Sequence, residues 1–140
     1  MHLSNSSKYA IRIMSYITNN SKKELVSARE IAEKLSIPYK FLTKIMVQLV
    51  KADFIVSIRG KDGGYKLSRS ATEITVLDIL NQFNEFINQD ECILGIGTCN
   101  EKNKCSLHDQ WIEPKNMIQK MFKETTLENL DGINRLLSKH

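Results

Sequence analysis

The sequence predicts a mainly helical fold with one small β-hairpin and a long C-terminal helix. Apolar residues recur at helical spacing in the first 51 residues and again after residue 75. Between these two regions, a β-branched segment precedes an Asp62-Gly63 turn. A late apolar stripe then extends well past the hairpin, and it predicts the long helix.

Three helices are predicted before the hairpin. The first covers residues 4 to 19. Ser27 and Glu30 have the spacing of a capping box, which predicts the start of a second helix. Pro38 suits the first turn of a third helix, which runs to about Lys51. Two short helices joined by a tight turn, the second rich in cations, are typical of a helix-turn-helix.

The hairpin is expected at residues 54–58 and 65–68. Residues 59–64 are predicted to form the turn, in which the Asp62-Gly63 dipeptide tolerates positive φ at both positions. Arg59 and Lys61 lie at the tip, where they would reach an adjacent minor groove or phosphate. A hairpin directly after a recognition helix is a wing, although a hairpin with a purely structural role has the same pattern.

Charge is divided unevenly between the two halves of the chain. Residues 1–70 hold 13 Lys and Arg against 5 Asp and Glu, a net charge of +8. Residues 71–140 hold 7 against 11, a net charge of −4. A basic half of this size favours a nucleic-acid partner. No apolar run has transmembrane length, and no catalytic dyad or nucleotide-binding loop is present, so neither a membrane protein nor an enzyme is expected.

All three cysteines lie in one cluster with the pattern Cys92-x6-Cys99-x5-Cys105-x2-His108. The gaps are wider than those of most zinc sites, and they favour a loop around an iron–sulfur cluster, with Gly95 and Gly97 allowing the curve. A helix starting near Cys105 would place Cys105 and His108 on one face. Zinc ligation, buried thiols and a disulfide are the alternatives, and the odd cysteine count favours a reducing cytosol over disulfide bonding.

Two helices are expected after the hairpin. The first spans Thr75 to about Phe86. The second is predicted to carry a stripe that packs against a second subunit, with packing on the first helix as the alternative. Pro114 should kink this helix or split it in two. The stripe consists of Leu107, Trp111, Ile118, Met121 and Phe122.

These features divide the chain into three parts. Residues 1–86 form a winged helix-turn-helix domain, residues 87–108 form a cysteine-rich cluster-binding loop, and residues 109–140 form a dimerisation helix with a C-terminal tail.

The chain resembles the IscR-type winged-helix regulators of the Rrf family over nearly its whole length. The motifs that carry this resemblance are Met1-His2-Leu3-Ser4, Tyr9-Ala10, Ile37-Pro38-Tyr39-Lys40-Phe41-Leu42, Val56-Ser57-Ile58-Arg59-Gly60, Gly63-Gly64-Tyr65, the cysteine cluster followed by Trp111, and Thr126-Leu127-Glu128-Asn129-Leu130. The resemblance implies a homodimer with crossed C-terminal helices that binds a pseudo-palindromic DNA operator.

The resemblance also implies roles for particular residues. His108 would complete the ligand shell of a 2Fe–2S rather than a 4Fe–4S cluster, and Lys8 cannot supply the acidic ligand of NsrR-like members. The first gap of six residues is one longer than the usual IscR spacing, which leaves the cluster type and the signal open. Lys40, Phe41, Thr43 and Lys44 would face the bases. Thr43 stands where site-switching members have an acidic residue.

The function predicted from the sequence is DNA-binding transcriptional regulation controlled by an iron–sulfur cluster. The cluster would sense iron or cluster status, oxygen or nitric oxide. One alternative is a zinc- or thiol-based redox regulator. The second is an iron–sulfur carrier without DNA binding.

Overall fold

The computed structural model describes residues 3–85, 92–94, 97, 101–102 and 104–130. In chain order, these contain α1 (Asn5–Asn19), α2 (Ala28–Leu35), α3 (Tyr39–Lys51), β1 (Ile55–Ile58), β2 (Gly64–Leu67), α4 (Val76–Gln82), α5 (His108–Glu124) and a 3₁₀ turn (Leu127–Leu130). The predicted fold class, mainly helical with one hairpin, is confirmed. No helix in the described part of the chain is long and apolar enough to span a membrane.

Side-chain caps fix the starts of three helices. Ser7 donates its backbone N–H to the Ser4 hydroxyl at the start of α1. Ser27 accepts from the backbone N–H of Glu30 at α2, whereas the Glu30 carboxylate accepts from Lys23. Thr75 and Asp78 cap each other's backbone at α4, in a reciprocal capping box. These starts agree with the sequence predictions to within one residue.

The turn between α2 and α3 has a left-handed residue. Ser36 has φ 52° and ψ 44°, a conformation that costs energy for any residue with a Cβ. Its neighbour Ile37 is buried and donates its N–H to the Ala32 carbonyl, which closes the end of α2. Pro38 directly precedes α3, where its missing N–H does no harm. This tight turn brings α3 into contact with α2, as a helix-turn-helix requires.

One core lies between the helices and the hairpin. Each helix of the N-terminal half contributes one apolar face to it, and Leu127 from the 3₁₀ turn is also fully buried there. The largest side chains with almost no exposed surface are Ile13, Met14, Ile17, Ile31, Leu42, Met46, Leu49, Ile55, Ile74, Ile79, Leu80 and Leu127. The chain after α5 therefore returns to the core, with the backbone N–H of Leu127 bonded to the Ile74 carbonyl.

The C-terminal half differs from the prediction in two places. α4 ends at Gln82 rather than near residue 86, because Asn84 adopts positive φ and the Glu85 N–H bonds back to the Leu80 carbonyl. α5 runs without interruption through Pro114, so of the two outcomes predicted there, a kink or a split, the split is wrong. A proline removes one backbone hydrogen bond, and the remaining turns keep the helix intact here.

Candidate functional sites

The outer face of α3 is strongly cationic. Leu42, Ile45, Met46 and Leu49 are buried and hold the helix against the core. On the opposite face, Lys40, Lys44 and Lys51 are exposed, at positions that helical periodicity places on one side. The geometry leaves this face open to a groove of nucleic acid.

The four residues of α3 predicted to face DNA are accessible to different degrees. Lys40 and Lys44 are exposed, and Phe41 has 57% of its surface exposed. Thr43 is half-buried, and its hydroxyl donates to the Lys40 carbonyl at 3.0 Å. The donor of Thr43 is therefore engaged with its own helix, which leaves its lone pairs and its methyl group for contacts outside.

The wing presents its cations at an exposed tip. Residues 59–62 are all exposed, so Arg59 and Lys61 lie where the sequence predicted them. β1 and β2 pair in antiparallel register from Ile55 with Leu67 to Ile58 with Gly64. Tyr65 also exchanges two backbone hydrogen bonds with Val26, at 2.8 and 2.9 Å, which anchors the hairpin to the segment before α2.

The conformation of the wing tip corrects one prediction. Gly60, not Asp62 and Gly63, has positive φ, at 121°. The connection between β1 and β2 holds five residues, one fewer than predicted, and the Gly63 N–H bonds to the Gly60 carbonyl. Gly63 is required for a different reason: a Cβ there would collide with the Ile58 carbonyl oxygen.

A backbone hydrogen bond closes a turn near each end of the cysteine segment. The backbone N–H of Cys92 bonds to the Gly97 carbonyl at 2.9 Å, and Gly97 has φ 101°. Near α5, the N–H of His108 bonds to the Cys105 carbonyl at 3.1 Å. Gly97 thus gives the curvature expected of it, while Gly95 and Cys99 lie outside the described residues.

Cys105 and His108 do not share a helix face as predicted. α5 starts at His108, three residues later than expected, and Leu107 precedes it without a side-chain cap. Cys105 therefore lies before the positive end of the α5 dipole, where a thiolate is stabilised. Lys104 bonds to Asp109 at 3.0 Å across this turn. That hydrogen bond and the nearby positive charge hold the pKa of Asp109 below its usual value.

Burial and donor chemistry determine what this segment can hold. Cys92 and His108 are buried, at 8% and 5% exposed, and Cys105 is half-buried. No disulfide joins Cys92 to Cys105. Within the described ranges, no group of three His, Cys, Asp or Glu side chains is close enough to hold a metal ion. The thiols and imidazole fit an iron–sulfur cluster or zinc by ligand type, and Cys99 would have to complete the site.

The predicted interface stripe on α5 is only partly covered by its own chain. Leu107 and Met121 are 38% and 53% exposed, while Trp111, Ile118 and Phe122 are half-buried. Two further apolar residues that the prediction missed, Ile112 and Met117, are 37% and 65% exposed. The residues of α5 that are buried are His108 and Lys115, so much of the helix's apolar surface faces outward.

One connection between the two halves had no signal in the sequence. The Glu85 carboxylate accepts hydrogen bonds from the Ser7 hydroxyl at 2.7 Å and the Ser4 backbone N–H at 3.1 Å. Partial burial raises the pKa of Glu85, and these hydrogen bonds outweigh that effect and lower it. Glu85 thereby links the end of the α4 segment to the start of α1. Only the fold reveals this pair, which is 78 or more residues apart.

The helix-turn-helix, the cationic wing and the late helix together define a winged-helix DNA-binding protein. The chain matches the model of the Rrf2 family, described as an iron-dependent transcriptional regulator, over residues 3–131. It belongs to this family and is a DNA-binding transcriptional regulator rather than an enzyme.

Three relatives support this assignment. An HTH-type transcriptional regulator of Aquifex aeolicus is 35% identical over 95% of this chain and 93% of its own length. NsrR of Oceanobacillus iheyensis is 31% identical over 93% of this chain and 89% of its own. IscR of Vibrio atlanticus is 28% identical over 98% of this chain and 79% of its own.

Solved structures share the fold. CymR of B. subtilis, described as the global cysteine regulator, superposes with a TM-score of 0.79 at 22% identity, covering 100% of this chain and 98% of that one. An oxidized form of Staphylococcus aureus CymR gives 0.72 at 25% identity, covering 93% and 95%. The winged-helix prediction is confirmed.

Proposed function

We propose that this protein is an iron–sulfur-dependent transcriptional regulator that binds its operator as a homodimer in the cytoplasm. The observation that carries the proposal is the presence, on one chain, of an exposed cationic recognition helix and a segment holding every cysteine. IscR and NsrR, which are relatives of this chain, support a cluster as the sensor.

On the DNA side, two kinds of contact are proposed. Arg59 and Lys61 hold phosphates or enter a minor groove beside the wing. Lys40, Phe41, Thr43 and Lys44 face base edges in the major groove. Apart from Thr43, which is half-buried, these side chains are exposed on α3 or at the hairpin tip, and that exposure supports this division.

On the sensor side, Cys92, Cys99, Cys105 and His108 would hold a cluster, 2Fe–2S rather than 4Fe–4S. When bound, such a cluster supplies a redox- and ligand-sensitive centre. The turns at Cys92–Gly97 and Cys105–His108, each closed by a backbone hydrogen bond, support a segment that curves around such a cluster. The three-part division into residues 1–86, 87–108 and 109–140 follows from this assignment.

Two copies are proposed to associate through α5. Because Leu107, Ile112, Met117 and Met121 are exposed in the single chain, association would remove apolar surface from water. Dimerisation would also set the two recognition helices at the spacing of a two-fold operator.

The likeness to CymR favours one alternative, a thiol-based redox regulator. A solved structure of Staphylococcus aureus CymR is of an oxidized form, so the fold accommodates a redox-modified protein. In that case, Cys92, Cys99 or Cys105 would be oxidised directly, without iron.

Anaerobic purification tests the two sensors against each other. The cluster proposal expects a coloured protein with matching iron and sulfide counts, and operator binding that changes when the cluster is removed. Cys92→Ser, Cys99→Ser and Cys105→Ser should each abolish stable cluster binding. A colourless protein whose binding responds to peroxide and is restored by a thiol reductant would favour the alternative.

His108 has a separate test. Histidine ligation raises a cluster's reduction potential relative to cysteine ligation. His108→Ala should therefore assemble a cluster poorly, and His108→Cys should retain one at a lower potential in a redox titration. An unchanged spectrum, potential and lifetime in His108→Ala would remove His108 from the ligand set.

A further inference from the structure

An exposed apolar side chain lies among the lysines on the outer face of α3. Val47 is 53% exposed, and it lies seven residues after Lys40, three after Lys44 and four before Lys51. Spacings of three, four and seven place all of these side chains on the same face of a helix. Val47 is therefore at the centre of the surface that would enter a groove.

Val47 has no role in holding the fold together. The core is built from the opposite face of α3, and Val47 is not among the residues that pack on it. Valine is also a poorer helix former than lysine or alanine, because its branched Cβ restricts χ1. Helix stability therefore gives no reason for a valine at this exposed position.

The neighbouring threonine extends the apolar character of this face. Thr43 lies four residues before Val47, and its hydroxyl donates to the Lys40 carbonyl. That bond occupies the Thr43 donor, so the Thr43–Val47 pair offers mainly methyl groups between flanking ammonium groups. In the major groove, the base that presents a methyl group is thymine.

We infer that Val47 reads the methyl group of a thymine in the operator, and so acts as a specificity-determining residue. This inference rests on the proposed DNA-binding role of α3. The lysines around Val47 bind phosphates or acceptor edges, and Val47 adds a preference for an A·T pair that charge cannot supply.

Selection from a random duplex library tests the inference. Wild-type protein, Val47→Ala and the matched control Val50→Ala would each select preferred sequences. Val50 is also exposed on α3, at 37%, but it lies about one turn further from Lys40 and Lys44 than Val47 does. Wild-type and Val50→Ala should enrich a common T, and Val47→Ala should lose that T while keeping the rest of the consensus.

Replacing that dT with dU removes only the methyl group. Wild-type affinity should fall about three- to fivefold, as expected for one buried methyl, and Val47→Ala affinity should not change. Val47→Thr, which keeps one methyl group, serves as a second variant if Val47→Ala folds poorly by circular dichroism. Its preference for dT over dU should be intermediate.

The outcomes separate the inference from the function on which it rests. If Val47→Ala selects the wild-type consensus and wild-type protein binds dT and dU equally, the inference is overturned while DNA recognition stands. If wild-type protein enriches no sequence at all, sequence reading by α3 is overturned along with it.

Discussion

The helices α3 and α5 are both amphipathic, but they use their apolar residues in opposite ways. α3 buries Leu42, Ile45, Met46 and Leu49 in the core of its own chain. α5 is four residues longer, and its buried side chains are His108 and Lys115. A helix whose apolar face is fully covered is free to offer its polar face to a ligand. A helix whose apolar residues stay exposed has surface left for another protein.

The largest expected effect comes from a charge on the exposed side of α5. Met121→Asp would bury a carboxylate in each half of the proposed interface, which costs several kcal/mol. We expect the dissociation constant of the dimer to rise at least about 1000-fold, which corresponds to about 4 kcal/mol. Operator binding should be lost as a result. Sedimentation and DNA titration measure both.

Asn116→Asp is the matched control for this variant. It adds the same charge to an exposed position on a different side of α5, beside Leu77 of α4. It should leave the dimer intact. A wild-type protein that sediments as a monomer at micromolar concentration would contradict the interface proposal.

The next prediction compares how much a side chain on each helix contributes to the free energy of unfolding. Leu49→Ala removes a fully buried side chain from α3 and should lower the free energy of unfolding by about 2–5 kcal/mol. Met117→Ala on α5, where the side chain is 65% exposed, should change it by less than about 0.5 kcal/mol.

Both of these variants are best compared by urea unfolding in the monomeric Met121→Asp background. There, subunit association does not add to the measured stability. Equal losses from the two substitutions would mean that α5 is covered by its own chain as completely as α3.

A smaller effect tests the wing. Removing the Arg59 charge should weaken binding to specific and unrelated DNA alike, and it should reduce the log–log salt slope by about 0.9 for each wing. Lys120→Ala, which removes an exposed cation on α5, should leave the slope unchanged. Wild-type binding that is flat between low and moderate salt would contradict the phosphate contacts.

The smallest effect concerns the link between α4 and α1. Hydrogen bonds to the Glu85 carboxylate depress its pKa below the ordinary value of 4.5. Glu85 therefore stabilises the fold above pH 4.5, and this contribution is lost as the pH falls through its lower folded-state pKa. Glu85→Gln should flatten this acid-side dependence in thermal unfolding measured from pH 6 to 3.

Local signals predicted the elements where neighbouring residues decide the conformation. Ser4, Ser27 and Thr75 each cap a helix, because their side chains accept a hydrogen bond from the backbone N–H three residues ahead. Pro38 directly precedes α3. The wing tip was harder, because Asp62-Gly63 dictates positive φ only in a two-residue connection. Here the loop has five residues, and Gly60 takes that conformation instead.

The candidate sites were also predictable to different extents, depending on whether neighbouring residues decide the local conformation. Helical periodicity alone places Lys40 and Lys44 on one face of α3, and the structure has them exposed there. The start of α5 depends on how the chain leaves the cysteine segment, so Cys105 lies before the helix instead of within it. The exposed Met117 was missed, because the division of α5 into covered and open sides depends on α4.

By itself, the sequence determined the starts of α1, α2 and α4, the hairpin, the basic half and the spacing of the cysteine and histidine residues. Each of these depends on residue chemistry or on contacts within a few positions. Only the tertiary structure decided that Leu127 returns to the core, that Glu85 bonds to Ser4 and Ser7, and that α5 leaves apolar side chains exposed. Those contacts join residues far apart in the chain, and their pairing is set by how the helices pack, which no local pattern records.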